Sequence, residues 1–335
     1  QTGDGASVLV TQNNDDAELA GNRSTIDQSG ENAEIVINQD GQGNSSNATQ
    51  TGDASFTSVM QEGADNSSQV TEGGVIAETY VTQSGEGNQS TVNQSGRASL
   101  SEVAQDGEGN ISTITQSGAN SATSIDQTGE GNRSTVTQSG SRSDTDVLQN
   151  GTGNISTVTQ SGSLASVDVD QDGLSNNSTV TQSGSASLAI ITQDGAGNGS
   201  TITQSGSLAV ARITQDGVGN TSLATESGSG ANLALVQRGG GNGSTVTQNG
   251  AGSQADIFQG GEGNTSLVTG TGFGTQINLD QLGSGNNSTI GQTSADTRAT
   301  VFQGGEENTS TVSQLAGFAQ VGVTQTGTGN NATTT

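Results

Sequence analysis

The stretch Asn154-Ile155-Ser156-Thr157-Val158-Thr159-Gln160, followed by Ser161-Gly162-Ser163-Leu164, decides how the chain folds. Its first seven residues alternate with period two and are rich in β-branched side chains, which is the pattern of a strand. The next four include a Gly, the residue that supplies the positive φ of a tight turn. The same pattern returns at once in Val167-Asp168-Val169-Asp170-Gln171-Asp172-Gly173. One pair of such segments therefore reads strand, turn, strand, turn.

Working outward, the pattern holds a strict register. From Gln28 to Gln325 every eleventh residue is Gln except Glu72, Glu226 and Gly270, and the residue two before it is always aliphatic. Two residues after it stands Gly, replaced only by Ser294 and Ala316. The true period is 22, because alternate units carry Asn at the fifth position after the Gln, at Asn22, Asn44, Asn66 and onward to Asn330. The other units carry Ala, Ser or Thr there, as at Ala33, Ser55 and Ser121. Before the uninterrupted register, Val10 and Gln12 read as one more unit, set apart by five extra residues. The expected organisation is an irregular leading segment with a partial first repeat over 1–21 and a repeat solenoid over 22–335.

A constant 22-residue period implies that each repeat stacks on its neighbour. The fold class expected is all-β, a β-solenoid of about fifteen strand-turn-strand repeats with cross-β stacking and two facing parallel sheets. Alternation places Ser156, Val158 and Gln160 on one side with Val167, Val169 and Gln171, and the charged Asp168 and Asp170 mark the other side as the exterior. Buried amides are acceptable in such a stack, since a primary amide has both donors and acceptors and identical side chains ~4.8 Å apart can satisfy one another. The structural ladder expected comprises Gln39, Asn44, Gln50, Gln105, Asn110, Gln116, Gln149, Asn154, Gln160, Gln171, Asn176 and Gln182.

Composition restricts the chemistry. Of 335 residues 53 are Gly, none is Pro, Cys, His, Trp or Lys, and 7 Arg face 33 acidic residues for a net charge of −26. Without Cys or His there is no disulfide, no thiolate or imidazole metal site and no Cys or His catalyst. The negative field opposes nucleic acid and anionic lipid, and no apolar run approaches the ~20 residues of a membrane span. Neither an enzyme nor a cofactor is expected. Starting at Gln1 without an initiator Met, the chain is compatible with export after signal removal. No terminal cap is recognisable, so Val10, Gln12 and Asn22 at one extremity and Gln325 and Asn330 at the other read as polymerisation ends, giving a heterologous head-to-tail filament of identical copies.

The segment Ser99-x5-Gln105-x-Gly107-x2-Asn110-x-Ser112-x3-Gln116 is similar to the repeat of the curlins, the secreted subunits of bacterial curli fibres, whose pattern is Ser-x5-Gln-x-Gly-x2-Asn-x-Ala-x3-Gln. The resemblance runs from about residue 22 onward, with Ser replacing Ala everywhere except Ala332. It implies export through an outer-membrane pore, nucleation by a minor subunit, and assembly into extracellular amyloid at the cell surface for biofilm and adhesion.

Three rival readings are weaker. Outward Thr-x-Thr pairs such as Thr113/Thr115 and Thr157/Thr159 resemble an ice-binding β-solenoid face, but that face is broken at Asn47, Leu223, Leu267 and Gly291. Acidic turns such as Asp106-Gly107-Glu108-Gly109 offer calcium carboxylates, yet many turns have none, as in Asn150-Gly151-Thr152-Gly153. The periodic Asn-x-Ser triplets match a glycosylation acceptor, but their Ser faces inward.

Overall fold

The structure, a computed structural model, describes residues 2–14 and 21–335. It is all-β among those residues and divides into two compact units, Gln1–Asp168 and Val169–Thr335.

In the first unit one parallel sheet is ordered β1 (Ser7–Asn13), β3 (Glu34–Gln42), β5 (Phe56–Ala64), β7 (Glu78–Glu86), β9 (Leu100–Glu108), β11 (Ala122–Glu130) and β13 (Asp144–Thr152). Its companion is ordered β2 (Arg23–Gln28), β4 (Ser45–Gln50), β6 (Ser67–Glu72), β8 (Gln89–Gln94), β10 (Ile111–Gln116), β12 (Arg133–Gln138) and β14 (Ile155–Gln160). The boundary between the units falls inside β15 (Ser166–Leu174).

In the second unit the odd-numbered strands of one parallel sheet are ordered β17 (Leu188–Ala196), β19 (Val210–Val218), β21 (Asn232–Gly240), β23 (Gln254–Glu262), β25 (Gln276–Ser284), β27 (Arg298–Glu306) and β29 (Gln320–Thr328). The even sheet has β16 (Asn177–Gln182), β18 (Gly199–Gln204), β20 (Thr221–Glu226), β22 (Gly243–Gln248), β24 (Thr265–Gly270), β26 (Asn287–Gln292), β28 (Thr309–Gln314) and β30 (Asn331–Thr334). Each unit is a β-solenoid, as the 22-residue period requires.

Register follows the period. Gln105 pairs with Gln127 and Gln127 with Gln149 on the odd sheet, while Gln94, Gln116, Gln138 and Gln160 align on the even one. The leading strand obeys the same rule: Val10 aligns with Ile37 and Gln12 with Gln39. The five extra residues fall between Asn13 and Arg23, and residues 15–20 of the leading segment lie outside those described. The strands inside each stack alternate between buried and open positions, which buries Val136, Val147 and Val158 in the first unit and Ile202 and Ile213 in the second. Each such side chain contributes about 1.5–3 kcal/mol on burial.

The two corners of a turn differ in a way that the uniform seven-plus-four reading does not anticipate. Even strands such as Ile155–Gln160 span 6 residues, whereas odd ones such as Asp144–Thr152 span 9. Pairing on the odd sheet continues past the Gln through the glycine, Gly129 opposite Gly151, because Gly151 adopts φ 112° and keeps the backbone in register. At the other corner the turn glycine has no positive φ at all; Gly140 is an example. A Cβ on Gly140 would overlap the Gly162 carbonyl oxygen one rung away. Glycine is required there by close approach of stacked backbones, and the left-handed residue is the one two positions later, Arg142 at φ 56°.

Candidate functional site

The inner Gln rows come first because they run along the stacking direction. On the odd sheet of the first unit Gln12 donates from Nε2 to Gln39 Oε1, Gln39 to Gln61, Gln61 to Gln83, Gln83 to Gln105, Gln105 to Gln127 and Gln127 to Gln149, at 2.6–2.8 Å. In the second unit the row runs from Gln171 through Gln193, Gln215, Gln237, Gln259, Gln281 and Gln303 to Gln325 at 2.7–2.9 Å. All donate toward the C-terminal neighbour, so each row has a polarity. A second bond clamps the two sheets, as when Gln105 Nε2 reaches the Gln89 carbonyl at 3.0 Å and Gln325 Nε2 that of Thr309 at 2.9 Å.

On the even sheet the row is discontinuous. Gln28 donates to Gln50 at 2.9 Å, and Gln94 to Gln116, Gln116 to Gln138 and Gln138 to Gln160 at 3.1, 2.7 and 2.8 Å. Gln182 donates to Gln204 at 2.9 Å and Gln204 to Glu226 Oε2 at 2.8 Å. Glu72, Glu226 and Gly270 interrupt it.

Asparagine does a different job from the amide-to-amide ladder expected of it. Asn44 donates its backbone N–H to Asn22 Oδ1 at 3.0 Å, while its Nδ2 reaches the carbonyls of Asp40 and Gly63, both at 3.0 Å. Asn110 repeats this with Asn88, Asp106 and Gly129, and Asn176 Nδ2 reaches Asp172 and Gly195. Asn154 and Asn330 likewise donate their backbone N–H to Asn132 Oδ1 and Asn308 Oδ1. Each Asn thus staples three backbone segments at the corner where the odd strand ends. Direct side-chain bonds between Asn residues are added only at some rungs, such as Asn242 to Asn220 at 3.1 Å.

Two groups of residues have roles that the repeat pattern alone does not reveal. Inward hydroxyls on the odd strands donate to the even Gln row, Thr79 to Gln94 at 2.6 Å, Ser101 to Gln116 at 2.9 Å and Thr123 to Gln138 at 3.1 Å. Their signal is the run of Thr or Ser at 57, 79, 101, 123 and 145, which the aliphatic rows overshadow. The second group is the pair of ladder glutamates. Both are fully buried, and burial pushes both carboxyls up to about 7.

The outer face is acidic. Burial, then Asp146 and Asp106, raises the Asp126 carboxyl, and burial, then Asp172 and Asp194, raises that of Asp170. Among the described residues no three acids gather as a metal-ion group. At the outer strands Val10 and Gln12 are exposed, whereas Gln325 remains mostly covered.

The family model of the curlin associated repeat matches residues 140–173 and 165–195. No curated protein matches the chain. The matched segments contain the Gln, Gly and Asn positions whose side chains and backbones make the stacking contacts described above. Over residues 140–195 the chain is therefore similar to the curlin associated repeat, and the 22-residue rung is its unit of construction.

Proposed function

We propose that the chain is a structural subunit of an extracellular fibre of the curli type, growing by head-to-tail stacking of further copies. The observation that carries this reading is the odd-sheet Gln row: each Gln is met by the same residue 22 positions on, in register and with one donor polarity. A rung that accepts its own sequence as the next layer also accepts the corresponding layer of another copy, which is strand addition at a sheet edge. The donor polarity makes the two faces of a rung unlike, so addition is head-to-tail and need not close. The acidic exterior opposes side-by-side clumping while leaving the stacking direction free.

Under this reading Val10, Gln12 and Asn22 lie at one polymerising face and Gln325 and Asn330 at the other. Secretion, an outer-membrane export pore, a minor nucleating subunit, and a role in biofilm matrix and adhesion belong to the same proposal by family likeness. The curlin repeat favours the fibre over the ice-binding alternative. Curlins are structural proteins, and no catalytic role is assigned. Diluting denatured protein into buffer should yield unbranched fibres with ~4.8 Å diffraction along the axis, and preformed fibres should abolish the lag. Protein that stays monomeric for days, with or without seeds, overturns the reading.

A further inference from the structure

Glu72 occupies a Gln position of the even row, between Gln50 and Gln94. It is fully buried, and its Oε2 accepts a hydrogen bond from Thr57 Oγ1 at 2.8 Å. Its Oε1 has no hydrogen-bond partner. The upstream amide is turned elsewhere, with Gln50 Nε2 directed to the Glu34 carbonyl at 3.3 Å and to Thr57 at 3.4 Å. Downstream, Gln94 donates onward to Gln116 at 3.1 Å and its Oε1 accepts from Thr79 at 2.6 Å, but unlike Gln116 and Gln138, whose oxygens each accept from a hydroxyl and from the preceding amide, it has no second donor from the row where Glu72 stands. An ionised carboxylate has none. A neutral carboxyl has the shape of an amide and one O–H to donate.

We infer that Glu72 is a proton-binding site built into the amide row, where proton uptake completes the sequence Gln50, Glu72, Gln94 and strengthens the surrounding rungs as pH falls. The inward positions of β4, β5, β7 and β8, which pack against β6, carry only Ser, Thr, Ala, Val and Gln. The charged side chains of those strands, Glu62, Glu78 and Glu86, are exposed. No cation faces the carboxylate, and a buried charge without one is costly.

Glu226 supplies a comparison within the same molecule. Gln204 donates to its Oε2 at 2.8 Å. With the Gln248 amide oriented to satisfy both its atoms, Gln248 Nε2 donates to Glu226 Oε1 at 3.0 Å and its oxygen accepts from the Ala255 N–H at 2.9 Å. Gly270, next in the row, has no side chain to receive the Gln248 donor, which leaves that amide able to turn toward the carboxylate. The inward positions of β18, β19, β21 and β22 are also uncharged, and Arg212 and Arg238 are exposed. Glu226 thus meets two amide donors where Glu72 Oε1 meets none, although burial raises both carboxyls to about 7.

The direction of the pH effect follows from linkage. The Glu72 carboxyl sits at about 7 when folded against an ordinary 4.5. Between those values the folded chain keeps a proton that the unfolded chain has released. The stabilisation is complete below the ordinary value, is lost as pH rises to about 7, and is level above it.

The test uses the whole chain and does not depend on fibre formation. Glu-selective 13C carboxyl labelling should show a resonance titrating near neutrality that is missing in Glu72→Gln. In denaturant titrations between pH 5 and 7.5, Glu72→Gln should remove about a tenfold change in the folding equilibrium per pH unit. Glu226→Gln, whose carboxyl is also pushed up to about 7, should remove a separate share of the slope, so the Glu72 share is read from Glu72→Gln alone. A Glu72 resonance titrating near 4.5, or an unchanged slope in Glu72→Gln, overturns the inference.

Discussion

The odd and even sheets are written in the same eleven-residue grammar, yet they tolerate change very differently. The odd Gln row is continuous within each unit, whereas the even row contains two glutamates and a glycine. At the odd-to-even corner Asn staples the backbone and Gly carries the positive φ. At the even-to-odd corner a left-handed residue is often not Gly at all: Ile76, Ala98 and Leu164 adopt φ of 58°, 53° and 58°. There the stack itself imposes the conformation, because Ile76 donates its N–H to the Asp53 carbonyl of the previous rung at 2.9 Å and Ala98 likewise to Val75. The lesson is that a residue's tolerance depends on what the adjacent rung offers it, more than on its place in the repeat.

The largest expected effects are at the stacked glycines. Gly140→Ala forces a Cβ into the Gly162 carbonyl and should cost about 3 kcal/mol in denaturant unfolding. Gly129→Ala meets the Gly151 carbonyl and carries φ 114° as well, which should add about 1 kcal/mol. Gly131, at φ 64° with nothing near its Cβ position, should lose only about 1 kcal/mol as Ala. Its counterparts Asp65, Ser175 and Glu307 already occupy that conformation with side chains. Where the close-approach glycine is replaced naturally, at Ser294, the corner bond from Thr293 to Gln314 lengthens to 3.1 Å, against 2.8 Å for Thr271 to Gln292. Equal losses for Gly140→Ala and Gly131→Ala would erase the distinction between crowding and φ.

Next come the amides. Gln105→Leu removes the donor to Gln127 Oε1 and should cost about 2–3 kcal/mol through a buried unsatisfied acceptor. Gln116→Leu should cost about 1 kcal/mol less, because Thr123 still donates to Gln138 at 3.1 Å. Adding Thr123→Val to Gln116→Leu should bring the even-sheet loss up to the odd-sheet value, measured as a double-mutant cycle. The smallest effects are gains. Ile76→Gly relieves a β-branched left-handed residue that is half exposed and should raise stability by about 1 kcal/mol. Ser134→Ala deletes a buried hydroxyl with no partner and should be neutral or stabilising by up to ~1 kcal/mol. A loss at Ser134 would show that its hydroxyl is bonded in solution.

Much of this architecture was legible before any coordinates. Val158 and Gln160 on one face with Asp168 and Asp170 on the other follow from alternation, and the pairing of Gln105 with Gln127 follows from the 22-residue period. Less legible were the roles of residues that share a repeat position. Asn44 looks like another rung of an amide ladder, but its short side chain lies beside the corner carbonyls and reaches them before it reaches another Asn side chain. Gly140 and Gly129 are the same letter two residues after a Gln, yet one is needed for space and the other for space and φ together.

Periodicity alone decides which residues meet in this protein, because in a parallel stack without register shift each side chain's neighbour is the residue one period away. It therefore settles strand number, inside and outside, and the rows of Gln and Val. The separation of adjacent backbones at each corner, the direction in which every amide points, and the unpartnered oxygen of Glu72 emerge only in three dimensions. They depend on distances between rungs, where a few tenths of an ångström separate a hydrogen bond from a collision, and no spacing of letters along a chain encodes those distances.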